Sequence, residues 1–93
     1  MLNHEYLLTC LMEECAEVIK ECSKSLRFGL KSKGFIVDAS NNPTNAQCIS
    51  DELNDVFAVA VMLEGKKNIP GFRNNNKMSE KQKKLKRYMK LTR

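Results

Sequence analysis

No run of apolar residues in this sequence approaches the roughly 20 that a membrane-spanning helix needs, which excludes a helical transmembrane protein. The first residues, Met1-Leu2-Asn3-His4-Glu5-Tyr6, lack a basic stretch followed by an apolar one. No secretory signal is therefore expected, and the expected compartment is the cytoplasm. The four cysteines include no Cys-x-x-Cys pair, and without a signal peptide they read as reduced thiols rather than a disulfide scaffold. Two prolines and four glycines, with 42% hydrophobic residues, do not fit a low-complexity or disordered chain. No segment alternates apolar and polar residues with a period of two, so there is no candidate sheet, and no internal repeat is visible. With only 93 residues, the chain is too short for two ordinary domains. One small helical domain is expected.

The formal net charge of +5, from 16 basic and 11 acidic residues, is unevenly spread. Residues 77–93 hold Lys77, Lys81, Lys83, Lys84, Lys86, Arg87, Lys90 and Arg93 against Glu80 alone, a balance of +7. Residues 1–76 then carry the remaining −2. The sequence divides into an acidic helical core over 1–76 and a basic C-terminal helix over 77–93 of the same domain.

Apolar periodicity predicts three helices. Over residues 4 to 28, Leu8, Met12, Cys15, Ile19, Cys22 and Leu26 recur at spacings of four and three, a seam expected to face the core. Cys15 and Cys22 are read as buried packing residues on it, Cys10 and Cys48 as packing nearer the acidic side, and His4 as terminal packing. Gly29 stands where a left-handed cap belongs, and the stretch 29 to 44, with Gly34 and Asn41-Asn42-Pro43, reads as a long loop. Thr44-Asn45-Ala46-Gln47 is a capping box opening a second helix to about Lys67. Its apolar positions Ile49, Leu53, Val56, Phe57, Ala60 and Leu63 leave almost no polar face in its second half. A chain this short cannot bury such a helix by itself, so assembly with further copies is expected. A third helix is expected from the capping box Ser79-Glu80-Lys81-Gln82, lying on the body through Leu85, Tyr88 and Met89.

The carboxylates do not fit a purely structural reading. At 100° per residue, Glu21 lies about 20° and Glu17 about 60° from Glu14 on the first helix. Like charges spaced so closely cost about 0.2–0.5 kcal/mol per pair even when exposed. On the second helix Ile49, Val56, Val59 and Leu63 all fall within about 60° of Glu52, with Asp55 beside it. This carboxylate points where the core should be, and a bound cation would remove its cost. In an antiparallel hairpin the two acidic pairs stand level to within about 6 Å. With no histidine or thiolate nearby, such a set would be an all-oxygen site suited to Mg²⁺ or Mn²⁺ rather than Zn²⁺.

Glu13-Glu14-Cys15-Ala16-Glu17 followed by Glu52-Leu53-Asn54-Asp55 resembles the E-x-x-E … E-x-x-D signature of the MazG-like, all-α nucleoside triphosphate pyrophosphohydrolases. The likeness extends to Val18-Ile19-Lys20, to Leu26-Arg27-Phe28-Gly29 and to the apolar run after Asp55, about two thirds of the chain, and is nearest the small single-domain members of bacteria and phages. Residues 18 to 51 form a longer spacer between the pairs than is usual. The resemblance implies an all-α antiparallel hairpin of two long helices with a short C-terminal helix, completed to a four-helix-bundle-like core as a homodimer or homotetramer. It implies Mg²⁺-dependent cleavage between the α- and β-phosphates of a nucleoside triphosphate, with Glu14, Glu17, Glu52 and Asp55 as metal ligands. One of these, or Glu21, would take the proton from the attacking water, and Lys24 and Arg27 are candidates to hold the outer phosphates. The rival reading is a helical nucleic-acid-binding or partner-docking module that uses the basic tail, whose single aromatic, Tyr88, makes a poor stacking platform.

Overall fold

The computed structural model describes residues 2–33 and 41–91, with side chains to residue 89. Among these there are three helices and no strand: α1 (Asn3–Phe28), α2 (Asn45–Gly65) and α3 (Asn75–Leu91). No described helix is long and apolar enough to cross a membrane. Part of the expected loop, residues 34–40, lies outside the described residues.

Local chemistry sets the helix ends. At the start of α2 the Gln47 N–H donates to Thr44 Oγ1 at 3.1 Å, and the Thr44 N–H donates to Gln47 Oε1 at 2.7 Å. Both halves of the predicted capping box are present. Thr44→Ala should cost about 1 kcal/mol, readable as a lowered midpoint in urea. Gly29 has a positive φ of 97°, but its ψ of 152° takes it out of the left-handed helical well. The chain leaves α1 extended instead of curling into the expected cap.

The end of α2 differs from the sequence pattern in an instructive way. Gly65 is still helical, and the residue with positive φ is Lys67, at 59°. The Asn68 N–H reaches Leu63 O at 2.9 Å and the Lys67 N–H reaches Glu64 O at 3.0 Å. This is the Schellman arrangement, with a lysine where glycine is usual. Lys67→Gly should therefore stabilise the fold by about 0.5–1 kcal/mol in chemical denaturation, because it relieves a Cβ clash.

α1 and α2 pack as an antiparallel hairpin pinned at both ends. Beside the α1 C-terminus, buried Asn45 donates Nδ2–H to Gly29 O at 3.0 Å, and the Asn45 and Ala46 N–H groups reach Ser32 O and Leu30 O at 2.8 and 2.9 Å. At the other end Leu7 and Met62 line a common cleft. Leu7 and Leu63 are the only fully buried apolar residues described.

The side of α1 that meets α2 is not the predicted seam. Leu7, Cys10, Leu11, Glu14, Val18, Glu21, Lys24 and Ser25 are the buried or half-buried positions, and they fall within about 140° of arc on the helix. The seam from Leu8 to Leu26 lies about 120° away and is uncovered, with Met12 73% and Leu26 89% exposed. Cys15 and Cys22 are exposed on it, not buried as expected, whereas Cys10 and Cys48 are half-buried. His4 is exposed as well. On α2, Leu53 and Phe57 are about half exposed. Cys22 and Leu26 share a cleft with Ile49, so the seam of α1 continues onto α2 there, while exposed Tyr6 and Met62 line a separate cleft.

α3 begins at Asn75, a turn earlier than the sequence suggests, because Asn74 Oδ1 accepts the Lys77 N–H at 2.9 Å. It packs against neither α1 nor α2, and Leu85, Tyr88 and Met89 are exposed rather than laid on the body. The resulting shape is flat and open, 44 × 37 × 17 Å with a radius of gyration of 16.6 Å, against about 12 Å for a compact domain of this length.

Candidate metal centre

The carboxylates of the hairpin gather at the junction of α1 and α2, about 120° round α1 from its exposed seam, and make that side acidic. Glu14 from α1 and Glu52 and Asp55 from α2 each bring a carboxylate oxygen within 4.8 Å of the others. Glu14 and Glu52 are half-buried and Asp55 is exposed at the edge. The helical spacing explains the meeting: Glu14 and Glu52 lie at the centres of the contacting faces, and Asp55, at i+3, flanks Glu52.

The electrostatics of this group are unfavourable as they stand. The Glu52 carboxyl is pushed above the ordinary glutamate range, first by loss of water around it, then by its hydrogen bond with Glu14 and by repulsion from Glu14, Asp55 and Glu17. Two carboxyls can hydrogen-bond to each other only if one carries a proton. The alternative that lets all of them ionise is a shared cation. The donor set is suitable, since oxygens around an octahedral Mg²⁺ at about 2.1 Å stand about 3 to 4.2 Å apart. Small side-chain rotations would close the 4.8 Å group to that spacing.

The other predicted residues are placed unequally. Glu17 is near enough to repel Glu52 but stands outside the three-carboxylate group, with Lys20 Nζ 4.0 Å from its Oε2. Glu21 is only 7% exposed. Its Oε2 makes no hydrogen bond, although Lys24 Nζ lies 3.2 Å away; the pair is an ion contact without hydrogen-bond geometry. Lys24 is thus already engaged on the acidic side. Arg27 instead lies over the Phe28 ring, 5.0 Å from its centroid.

Sequence reasoning missed a polar cleft of about 510 Å³ beside the carboxylates, lined by Lys33, Asn41, Asn42, Pro43, Thr44, Gln47 and Asp51. Asp51 is one turn before Asp55, so the cleft continues the acidic side toward the α2 N-terminus. Asn42 Nδ2 is buried there without a hydrogen-bond partner. Its amide composition was visible in the sequence, but the folding of residues 41–44 against Lys33 was not.

No protein-family model, no curated protein and no solved structure matches this chain.

Proposed function

We propose that this protein is a Mg²⁺-dependent nucleoside triphosphate pyrophosphohydrolase of the MazG-like kind, which hydrolyses the bond between the α- and β-phosphates to release a nucleoside monophosphate and pyrophosphate. The observation that carries the reading is the convergence of Glu14, Glu52 and Asp55 from two helices within 4.8 Å, at the positions that the family signature assigns to metal ligands. When bound, Mg²⁺ or Mn²⁺ would neutralise phosphoryl oxygens and acidify a water for attack on phosphorus.

The chain's own residues divide the remaining work. Glu14, Glu52 and Asp55 would hold the cation, and Glu17 at the rim would complete the set. The proton from the attacking water would pass to Glu21, which stands outside that set, or to one of the four carboxylates themselves. Lys24 offers its ammonium to the outer phosphates from the acidic side, and Arg27 stands one turn further on. The amide-lined cleft at Asn41, Asn42 and Gln47 adjoins this centre and suits the donors and acceptors of a base or sugar. Further copies complete the apolar core, giving a homodimer or homotetramer with a four-helix-bundle-like core. The nucleotide pool on which such an enzyme acts places it in the cytoplasm.

The test is a screen of ordinary and modified nucleoside triphosphates with pyrophosphate release as the readout, alongside calorimetric titration with Mg²⁺ and Mn²⁺. Metal binding together with pyrophosphate release is the expected result. A chain that binds neither ion refutes the reading. The second reading, a nucleic-acid-binding or docking module, is favoured by one observation only, the exposure of every described side chain of the basic α3.

A further inference from the structure

We propose that α3 is exchanged between two copies of this chain, each copy seating the Met78, Leu85, Tyr88 and Met89 stripe of its α3 on the uncovered α1 seam of the other. α3 carries two incompatible surfaces for a helix alone in water. Met78, Leu85, Tyr88 and Met89 fall within about 120° of arc and are exposed, while the other described side chains of the helix are polar, with five lysines and Arg87 against Glu80 alone. An apolar stripe of this kind needs a covering surface.

Its own hairpin does not provide one, and the linker keeps it away. Glu64, on the last turn of α2, accepts the Phe72 N–H on Oε2 at 3.2 Å and Arg73 Nη2–H on Oε1 at 2.8 Å. The Arg73 guanidinium also lies 5.5 Å from the Phe57 ring centroid and 5.8 Å from that of Phe72. Those two rings meet edge to face at 5.8 Å. Arg73 and Phe72 hold the Glu64 carboxyl below its ordinary range, so it stays charged near neutrality. Residues 72 and 73 are thereby fastened to α2 immediately before α3 starts, and α3 leaves the hairpin instead of folding back on it.

Three observations select a second copy as the occupant. The first is charge: α3 lies in the segment carrying +7 and the rest of the chain carries −2, so two copies attract tail to body. The second is area. The chain exposes 7841 Å², whereas a compact monomer of this mass exposes about 5,500 Å². The excess, about 2,300 Å² per chain, doubles to a total within the roughly 2,000–5,000 Å² of obligate dimer interfaces. The third is length. The stripe from Met78 to Met89 spans about 17 Å and the seam from Met12 to Leu26 about 21 Å, so one helix fits along the other. A nucleic-acid backbone would neutralise the lysines but leave the stripe in water.

The inference is independent of the metal chemistry, and its tests read mass and cross-linking without Mg²⁺. By sedimentation the wild-type chain should have twice the monomer mass, or four times it where two such exchanged pairs associate. Leu85→Glu with Met89→Glu should weaken association at least about 10-fold while the helical circular dichroism is kept, because neither side chain is buried in the single chain. A second measurement places the contact. A chain with Leu85→Cys, Cys15→Ser and Cys22→Ser, mixed with tagged wild-type chain and oxidised with diamide, should form a disulfide between the introduced thiol and Cys15 or Cys22 of the other copy. Such a bond requires Cα atoms within about 7 Å. A monomeric wild type, a double-Glu variant as dimeric as wild type, or cross-links confined to α1 pairing with α1 would each overturn the proposal. So would a monomer that instead binds a short DNA duplex through α3.

Discussion

Glu52→Gln keeps the three-helix fold and loses Mg²⁺-dependent release of pyrophosphate by about 100-fold or more, a size typical of removing a group that acts on charge in the transition state. The substitution is nearly isosteric, so packing against the half-buried surroundings of Glu52 is retained. It removes the carboxylate on which repulsion from Glu14, Asp55 and Glu17 converges. The metal-free variant should consequently unfold at the same or a higher temperature than wild type at neutral pH. That pairing of outcomes separates a ligand from a scaffold residue: a purely structural Glu52 would give unchanged hydrolysis. Hydrolysis at the wild-type rate in Glu52→Gln would sink the assignment of this centre.

The second large effect is the dependence of stability on metal and pH. The Glu52 carboxyl is raised in the folded protein relative to an unfolded chain, so between the two values the native state binds more protons than the unfolded one. Its contribution to stability is complete below the unfolded value and is lost as pH rises through the folded value. Without metal, the melting temperature of wild type relative to Glu52→Gln should therefore fall as pH rises from the carboxylate range toward neutrality, a difference in which the lowered Glu64, acting with the opposite sign in both proteins, cancels. Mg²⁺ exchanges the shared proton for a cation and should abolish that decline. At a concentration 100 times its dissociation constant it would add about 2.7 kcal/mol. Chelation at neutral pH should both stop hydrolysis and return the melting curve to the metal-free one. Melting curves that are indifferent to Mg²⁺ at every pH would refute a cation at this centre.

Much of the architecture was legible because it is local. The Thr44 and Gln47 capping box depends on residues three apart and is formed as the pattern predicts. The level meeting of Glu14 with Glu52 and Asp55 follows from helix rise and a hairpin, and both ends of that inference lie in regular structure. Glu17, one turn along the same strip, shares the field of the group but not its contact. The small difference arises because 100° steps place it about 60° off the contact direction.

The misplaced elements share one physical cause. Periodicity shows which residues of a helix lie on a common side, but not which side meets a neighbour. α1 has a continuous apolar arc wider than one helix contact, running from Leu7 and Val18 round to Met12 and Ile19. α2 takes the edge that carries Glu14, and the seam of Leu8, Met12, Cys15, Ile19, Cys22 and Leu26 is left bare. The same limit applied to Leu85, Tyr88 and Met89, whose amphipathic spacing is equally compatible with docking in its own chain or in another.

What the sequence by itself determined, then, is the all-helical character, the helix ends made by side chains within one turn, the split between acidic body and basic tail, and the acidic pairs that border apolar faces. These rest on interactions over three or four residues, where backbone geometry leaves little choice. Tertiary structure alone decided which arc of α1 packs on α2, how Glu64 and Arg73 fasten the linker ahead of α3, and how residues 41–44 form a polar cleft with Lys33. Each of those depends on groups far apart in the chain, and their meeting depends on how whole helices lie against one another rather than on the spacing within any of them.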